Sequence, residues 1–190
     1  SDAIMAFSLR DGRRQWTFQA TAGDAWNLAC MPFIPDKSNC PTPVGPDVDF
    51  ASPPALIRHG GREVLVAGQK SGDVWALNPD NGKLLWHRPV GRGGNQGGQH
   101  FGLAVEGRRV FIPISDYDDE MLPKSAAKPG LYALDAFTGE ALWSSRADDV
   151  CGDRKDCDPG ISQAITAIPG VVFAGHMDGR VRAHDSTNGA

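Results

Sequence analysis

Three residues stand out for the chemistry they could do together: Asp47, Asp49 and Lys70. Two carboxylates and an ammonium gathered in one site can move a proton and steady a developing negative charge. The same residues could equally make a surface ion pair, a common and weakly stabilising use of such groups. A glycine-rich run, Gly91-Arg92-Gly93-Gly94-Asn95-Gln96-Gly97-Gly98-Gln99-His100, has the composition of a phosphate cradle. It lacks the helix that a P-loop or dinucleotide fold requires. A backbone bare of side chains beside a flat ligand suits this run better. His100 and His176 are candidates for touching a ligand, whereas His59, His87 and His184 read as surface or packing residues. No Gly-x-Ser-x-Gly elbow occurs, so a serine hydrolase is not indicated. The four cysteines fall as Cys30 and Cys40, with nine residues between them, and Cys151 and Cys157, with five. That spacing suits two local disulfides and an oxidising compartment. A four-cysteine zinc site is the alternative, although neither pair has CxxC spacing. No CxxCH haem motif is present.

The elements that must position these residues follow from a repeat. Ala6…Gly12…Trp16, Ala76…Gly82…Trp86 and Ala133…Gly139…Trp143 share one frame, and Ala183…Gly189 begins it again. Ala to Gly is six residues in each copy, and the glycines recur at intervals of 70, 57 and 50 residues. Each copy reads as two strands around a tight turn, such as Asp73 to Leu77, Pro79 to Gly82, and Lys83 to Trp86. Two further strands precede it, Pro54 to Ile57 and Glu63 to Gly68. Four antiparallel strands per repeat make a β-propeller blade, and blades close into rings of about four to eight. The repeated Trp is expected to pack between blades and the Gly to make the turn, so Trp16, Trp86 and Trp143 are assigned no chemistry. Blade parts are expected over 1–22, 50–90, 99–146 and 161–190, within one partial propeller domain spanning 1–190.

In such a meander the turns of one face are short here. The loops of the other are long: 23–52, 91–100, 116–130 and 148–160. Long loops on a rigid scaffold carry function, and all four cysteines, Asp47, Asp49 and Lys70 fall on this side. Topology brings Asp49, at the end of one loop, and Lys70, in the following turn, to the same rim of the central channel.

Composition agrees with an all-β fold and excludes several classes. Of 190 residues 41% are hydrophobic, enough for a packed core, and 23 glycines with 14 prolines indicate many turns. Net charge is −4 without a long basic run, which argues against nucleic acid. No apolar stretch reaches the ~18 residues of a membrane helix. The chain starts at Ser1 without a leader and stops at Ala190 inside a repeat, so a segment of a longer protein is expected.

The repeated Ala-x-Asp-x-x-Thr-Gly-x-x-x-Trp frame resembles the tryptophan-docking motif of quinoprotein dehydrogenases, which are eight-bladed propellers that bind pyrroloquinoline quinone (PQQ). Gly23-Asp24-Ala25-Trp26-Asn27, Gly45-Pro46-Asp47-Val48-Asp49-Phe50 and Gln69-Lys70-Ser71-Gly72 resemble the polyvinyl alcohol dehydrogenase branch of that family. The resemblance implies a quinoprotein-type propeller, about three to four blades of a ring of eight. It implies oxidation of an alcohol, of which a polymeric secondary alcohol is one case, with PQQ and Ca²⁺ as cofactors. Cytochrome c would take the electrons, in the periplasm or outside the cell, and this segment alone would be inactive. Asp49 matches the catalytic base and calcium ligand, and Lys70 the residue that hydrogen-bonds the quinone oxygens. Gly97, Gly98, His100 and Phe101 fall in register with a loop that faces the cofactor. A second alignment would put Asn27 at the base position, where it could not act as a base; Asp49 directly precedes a strand and is preferred. The competing reading is a non-enzymatic propeller of the same family that binds protein or polymer partners, as outer-membrane assembly lipoproteins do.

Overall fold

The computed structural model describes residues 2–117 and 126–190; of the long loop expected over 116–130, residues 118–125 lie outside the described residues. Among the described residues thirteen strands form four antiparallel sheets, and one 3-10 turn lies outside them. The first pairs β1 (Ala3–Phe7) with β2 (Arg14–Gln19). The second is the meander β3 (Ala55–His59), β4 (Arg62–Gly68), β5 (Asp73–Leu77) and β6 (Leu84–Pro89). The third repeats it with β7 (Ala104–Glu106), β8 (Arg109–Ile114), β9 (Gly130–Asp135) and β10 (Ala141–Arg146). The fourth holds β11 (Thr166–Ile168), β12 (Val171–Gly175) and β13 (Val181–Asp185).

The core lies between successive sheets, because each strand alternates its side chains across the pleat. Val64, Val66, Val74 and Ala76 of the second sheet meet Val110, Ile112, Ile114 and Leu134 of the third. Phe111, Leu131 and Ala133 then face Val172 and Ala174 of the fourth. Ile4 of the first sheet meets Ala67 and Leu77 of the second.

The repeat motif is the joint between sheets. In three hairpins the Ala pairs with the Trp and the next pair skips one residue, at Gln15, Leu85 and Leu142. Such a bulge re-aims the side chain beside it. Trp16 Nε1 donates to Pro79 O at 2.9 Å, Trp86 to Ala136 O at 3.0 Å and Trp143 to Ser186 O at 3.1 Å. Each acceptor lies three residues before the glycine of the next repeat. A Cβ on Gly82, Gly139 or Gly189 would lie 2.5, 2.7 or 2.6 Å from the docked indole. These glycines also sit at φ of +70°, +72° and +78°, where a side chain is strained. Turn and docking seat are therefore one residue.

Candidate functional site

The loop from β2 to β3 carries the first part of the site, and one buried carboxylate shapes it. Asp24 Oδ1 accepts the Asp47 amide at 3.1 Å and Oδ2 the Val48 amide at 2.7 Å. This clasp holds Asp47 at φ +59°, an unusual conformation outside glycine. Gly45 makes the approach possible, since a Cβ there would lie 2.6 Å from Asp24 Cα. Cys30 and Cys40 are disulfide-bonded within the same loop, as are Cys151 and Cys157 between β10 and β11. No cysteine is free, so the zinc alternative falls away. Asn27 caps the 3-10 turn Leu28–Cys30 through the Ala29 amide and donates to Asn39 O. Its side chain holds the disulfide loop.

Lys70 sits in the β4–β5 turn, where its backbone amide donates to Asp49 O at 3.0 Å and its carbonyl accepts from Gly94 N at 3.1 Å. Its Nζ donates to Asp49 Oδ2 at 2.9 Å and to Asp47 Oδ1 at 3.1 Å. The Lys70 side chain is 16% exposed, whereas Asp49 is 50% exposed. Burial raises Asp47 to about 6, Lys70 opposing and the neighbouring Asp49 adding to the rise. Burial also pushes Asp49 upward, but hydrogen bonds from Lys70 and Asp47 outweigh it and hold Asp49 below the ordinary carboxylate range. Burial lowers Lys70, and the two carboxylates overcome it to leave the ammonium above its usual value. The result is a charged lysine, an ionised half-exposed Asp49 and a partner carboxyl that takes up a proton near pH 6.

The glycine-rich loop is organised by Asp116. Its Oδ1 accepts the amides of Gly93 and Gly98, both at 3.0 Å, and its Oδ2 those of Arg92 at 2.7 Å and Lys128 at 2.8 Å. A Cβ on Gly98 would lie 2.4 Å from Lys70 O and 2.5 Å from Gly72 N, and one on Gly97 would lie 2.3 Å from Gly93 O. Gly98 thus lets this loop close onto the Lys70 turn, and Gly97 lets the loop fold tightly on itself. The fully buried Gln99 amide reaches Ser52 Oγ at 2.9 Å, Gly68 O at 3.1 Å and Gly102 N at 3.2 Å. His100 is buried with Nδ1 on Ser162 Oγ at 2.8 Å and, among the described residues, Nε2 without a partner. Burial, then the Lys70 charge, lowers its pKa. Phe101 stands edge-on to His100 with centroids 5.6 Å apart and is 63% exposed. His176, the other ligand candidate, is buried with Nδ1 on Pro159 O at 2.7 Å.

The structure therefore brings Asp47, Asp49 and Lys70 together, with Gly98 against the Lys70 turn, Gly97 packed on Gly93 within its own loop, and His100 within reach of the Lys70 charge. Sequence reasoning missed the groups behind them: Asp24, Asp116, Gln99 and Gln69. Gln69, also fully buried, donates to Asp2 at 2.6 Å and Thr21 at 3.0 Å and accepts from Ser71 and Trp75. Asp24 and Gln69 lay inside stretches that carried the resemblance. Asp116 and Gln99 belonged to no periodic signal.

Antiparallel meanders docked through indole-on-glycine seats, with an acid–lysine cluster where the β2–β3 loop meets the β4–β5 turn, make this chain a fragment of a β-propeller. Residues 1–112 match the PQQ_2 family, described as outer membrane protein assembly factor BamB, and the chain belongs to that family. A polyvinylalcohol dehydrogenase of Pseudomonas sp is 41% identical over 193 residues, which cover 100% of this chain and 29% of that protein. This chain thus spans under a third of that curated relative. The quinohemoprotein alcohol dehydrogenase of Comamonas testosteroni superposes with a TM-score of 0.64 at 16% identity, over 98% of this chain and 31% of its own. BamB from Moraxella catarrhalis gives 0.56 at 17%, over 98% and 44%. At those identities the two structures show the shared fold. The family resemblance read from the residues, including its polyvinyl alcohol dehydrogenase branch, is borne out.

Proposed function

We propose that this chain is the part of a PQQ-dependent alcohol dehydrogenase that carries the base and the quinone-binding lysine. The observation behind the reading is the Lys70 ammonium held between Asp47 and Asp49, in a chain 41% identical to a polyvinylalcohol dehydrogenase. PQQ, when bound, supplies a two-electron acceptor for the alcohol. An ammonium has three N–H donors; two are engaged by the carboxylates, and the third would be left for an oxygen of the bound quinone, where Lys70 would steady negative charge. The orphaned Nε2 of buried His100 is a second polar group that a ligand could satisfy. Phe101 gives an exposed apolar ring beside it. Asp49 is ionised, half-exposed and fixed by Lys70, so its carboxylate takes the hydroxyl proton of the alcohol. Gly98 keeps the neighbouring backbone close to Lys70.

Calcium is a different matter. Among the described residues no group of three or more His, Cys, Asp or Glu side chains could hold a metal ion. Lys70 already engages one oxygen of each carboxylate, so these residues do not form a calcium site by themselves. In this reading Asp49 contributes at most two of the roughly six to eight oxygens that calcium takes. Electrons would pass on to a cytochrome c, and two disulfides support a periplasmic or secreted protein. Among the described residues no helix is long and apolar enough to cross a membrane.

The decisive experiment uses the protein at the full length of its relatives, with PQQ and Ca²⁺ added. Wild type is expected to develop the bound-cofactor absorbance and reduce dye with a secondary alcohol. Asp49→Asn is expected to lower turnover about 10³-fold; near-normal turnover would rule Asp49 out as the base. The family description names an assembly factor, which favours a second reading as a partner-binding scaffold. Absence of any PQQ binding by the wild type would select it.

A further inference from the structure

A cavity of about 240 Å³ lies away from the Lys70 cluster, between the edge strand β10 of the third sheet and β12–β13 of the fourth. At about 30 Å³ per water molecule it has room for an ion and a few waters. His176, which follows β12, and His184 on β13 both line it, and they are only 3% and 8% exposed. His176 Nδ1 lies 2.7 Å from Pro159 O and His184 Nδ1 3.1 Å from Gly189 O. A carbonyl only accepts, so each Nδ1 carries the proton, and in the neutral ring Nε2 is a bare lone pair. Among the described residues neither Nε2 has a partner. Two buried acceptors thus share one cavity.

The rest of the polar wall is cationic. Arg182, two residues from His184 and so on the same face of β13, is held by Asp178 through Nη1 at 3.2 Å and Nη2 at 2.5 Å. Arg146, at the end of β10, gives one N–H to Ala127 O at 2.9 Å and keeps further donors. Arg180 and the carboxylate of Asp148 complete the wall, both exposed. A metal ion does not suit it: the arginines repel one, and among the described residues no three His, Cys, Asp or Glu side chains come together to hold it. An anion without hydrogen does not suit it either, because two lone pairs would face its charge. An oxyanion that carries its own hydrogen satisfies both sides. Its O–H groups donate to Nε2 while its charged oxygens accept from guanidinium groups. Dihydrogen phosphate has two O–H groups for the two imidazoles and two further oxygens for Arg146 and Arg180.

We propose that this cavity binds a protonated phosphate group, clamped between the imidazoles of His176 and His184 and the guanidinium groups of Arg146 and Arg180. The inference is independent of the dehydrogenase reading. Burial, above all, holds His176 below its ordinary value, with Arg182 and His184 adding to the fall and Pro159 O and Asp178 opposing it. The ring therefore stays neutral and the ligand supplies the proton. Bound there, phosphate joins β10 to β13 and stabilises the fold by mass action.

The test is calorimetric titration of the full-length protein, at fixed ionic strength, with inorganic phosphate and with sulfate, which has no O–H near neutral pH. Expected at pH 6.5 is phosphate binding, with sulfate about tenfold weaker. At pH 8, where the dihydrogen form is scarce, phosphate affinity should fall by a similar factor. His184→Phe removes one acceptor, and Arg180→Ala removes a donor from an exposed position where folding is not at risk. Each is expected to weaken phosphate binding about tenfold. Arg58→Ala, on β3 and outside the cavity, is expected to change nothing. Absence of phosphate binding by the wild type, equal affinity for sulfate, or unchanged affinity in Arg180→Ala would overturn the site. So would a loss in Arg58→Ala as large as in Arg180→Ala, since binding would then follow net charge alone.

Discussion

Asp24 and Asp116 do similar work in different loops: each carboxylate collects backbone amides that no strand can satisfy. Asp116 serves four and Asp24 two. Charge-assisted bonds of this kind are stronger than neutral ones, and they fix irregular backbone around Lys70. Elsewhere a single carboxylate sets a pH response. The buried Asp178 is held down to about 2, first by its hydrogen bond to Arg182, at 2.5 Å, against the opposing effect of burial. Its folded pKa is depressed, so its stabilisation is complete above the unfolded value near 4 and disappears as pH falls toward 2. His176 adds a second window: burial lowers its pKa, so its contribution is present above about 6.5 and is lost as pH falls below that. Urea midpoints recorded across pH 2–7 are expected to decline in the acid window, while between about 4 and 6 the raised Asp47 works against His176. Asp178→Asn should flatten the acid decline. An unchanged acid slope would show that the Arg182 pair does not govern it.

At the scale of elements, the hairpin turn and the seat for the preceding indole are built into one glycine. Gly139 and Gly107 allow this to be separated. Both have positive φ, +72° and +59°, but a Cβ at 139 would meet the Trp86 ring at 2.7 Å while one at 107 meets nothing within 4 Å. Gly107→Ala is expected to cost about 1 kcal/mol for backbone strain. Gly139→Ala is expected to cost about 2–3 kcal/mol, because the ring must also shift. Denaturant midpoints measure both, and equal losses would mean the indole is not clamped. The frame was legible in the Ala–Gly–Trp spacing, since every copy must solve the same packing problem. That Gln15, Leu85 and Leu142 are bulged was not, because a bulge is a property of pairing and those three residues share no chemical type.

In the molecule as a whole, sheets and site are stabilised by different means. The sheets rest on three layers of apolar packing, whereas the long loops rest on disulfides and buried polar clasps. Reduction of Cys30–Cys40 and Cys151–Cys157 is therefore expected to leave the far-ultraviolet dichroism of the strands intact. Cleavage within residues 20–54 by a broad-specificity protease should accelerate severalfold. Loss of the strand signal on reduction would show instead that the loops hold the sheets together.

The order of strands, the Trp–Gly joints and the gathering of Asp47, Asp49 and Lys70 on the long-loop side followed from residue types and their spacing alone. These are consequences of period-2 alternation, turn chemistry and the alternation of hairpin faces, all of which act within a few residues. What only the tertiary structure decided is how the irregular loops are held: Asp24 under Asp47, Asp116 under the glycine-rich run, Gln69 and Gln99 between sheets. Those bonds join residues roughly 20 to 70 positions apart. A polar residue in a loop carries no local mark of which distant amide it will meet, so the clasp becomes visible only when the sheets have packed.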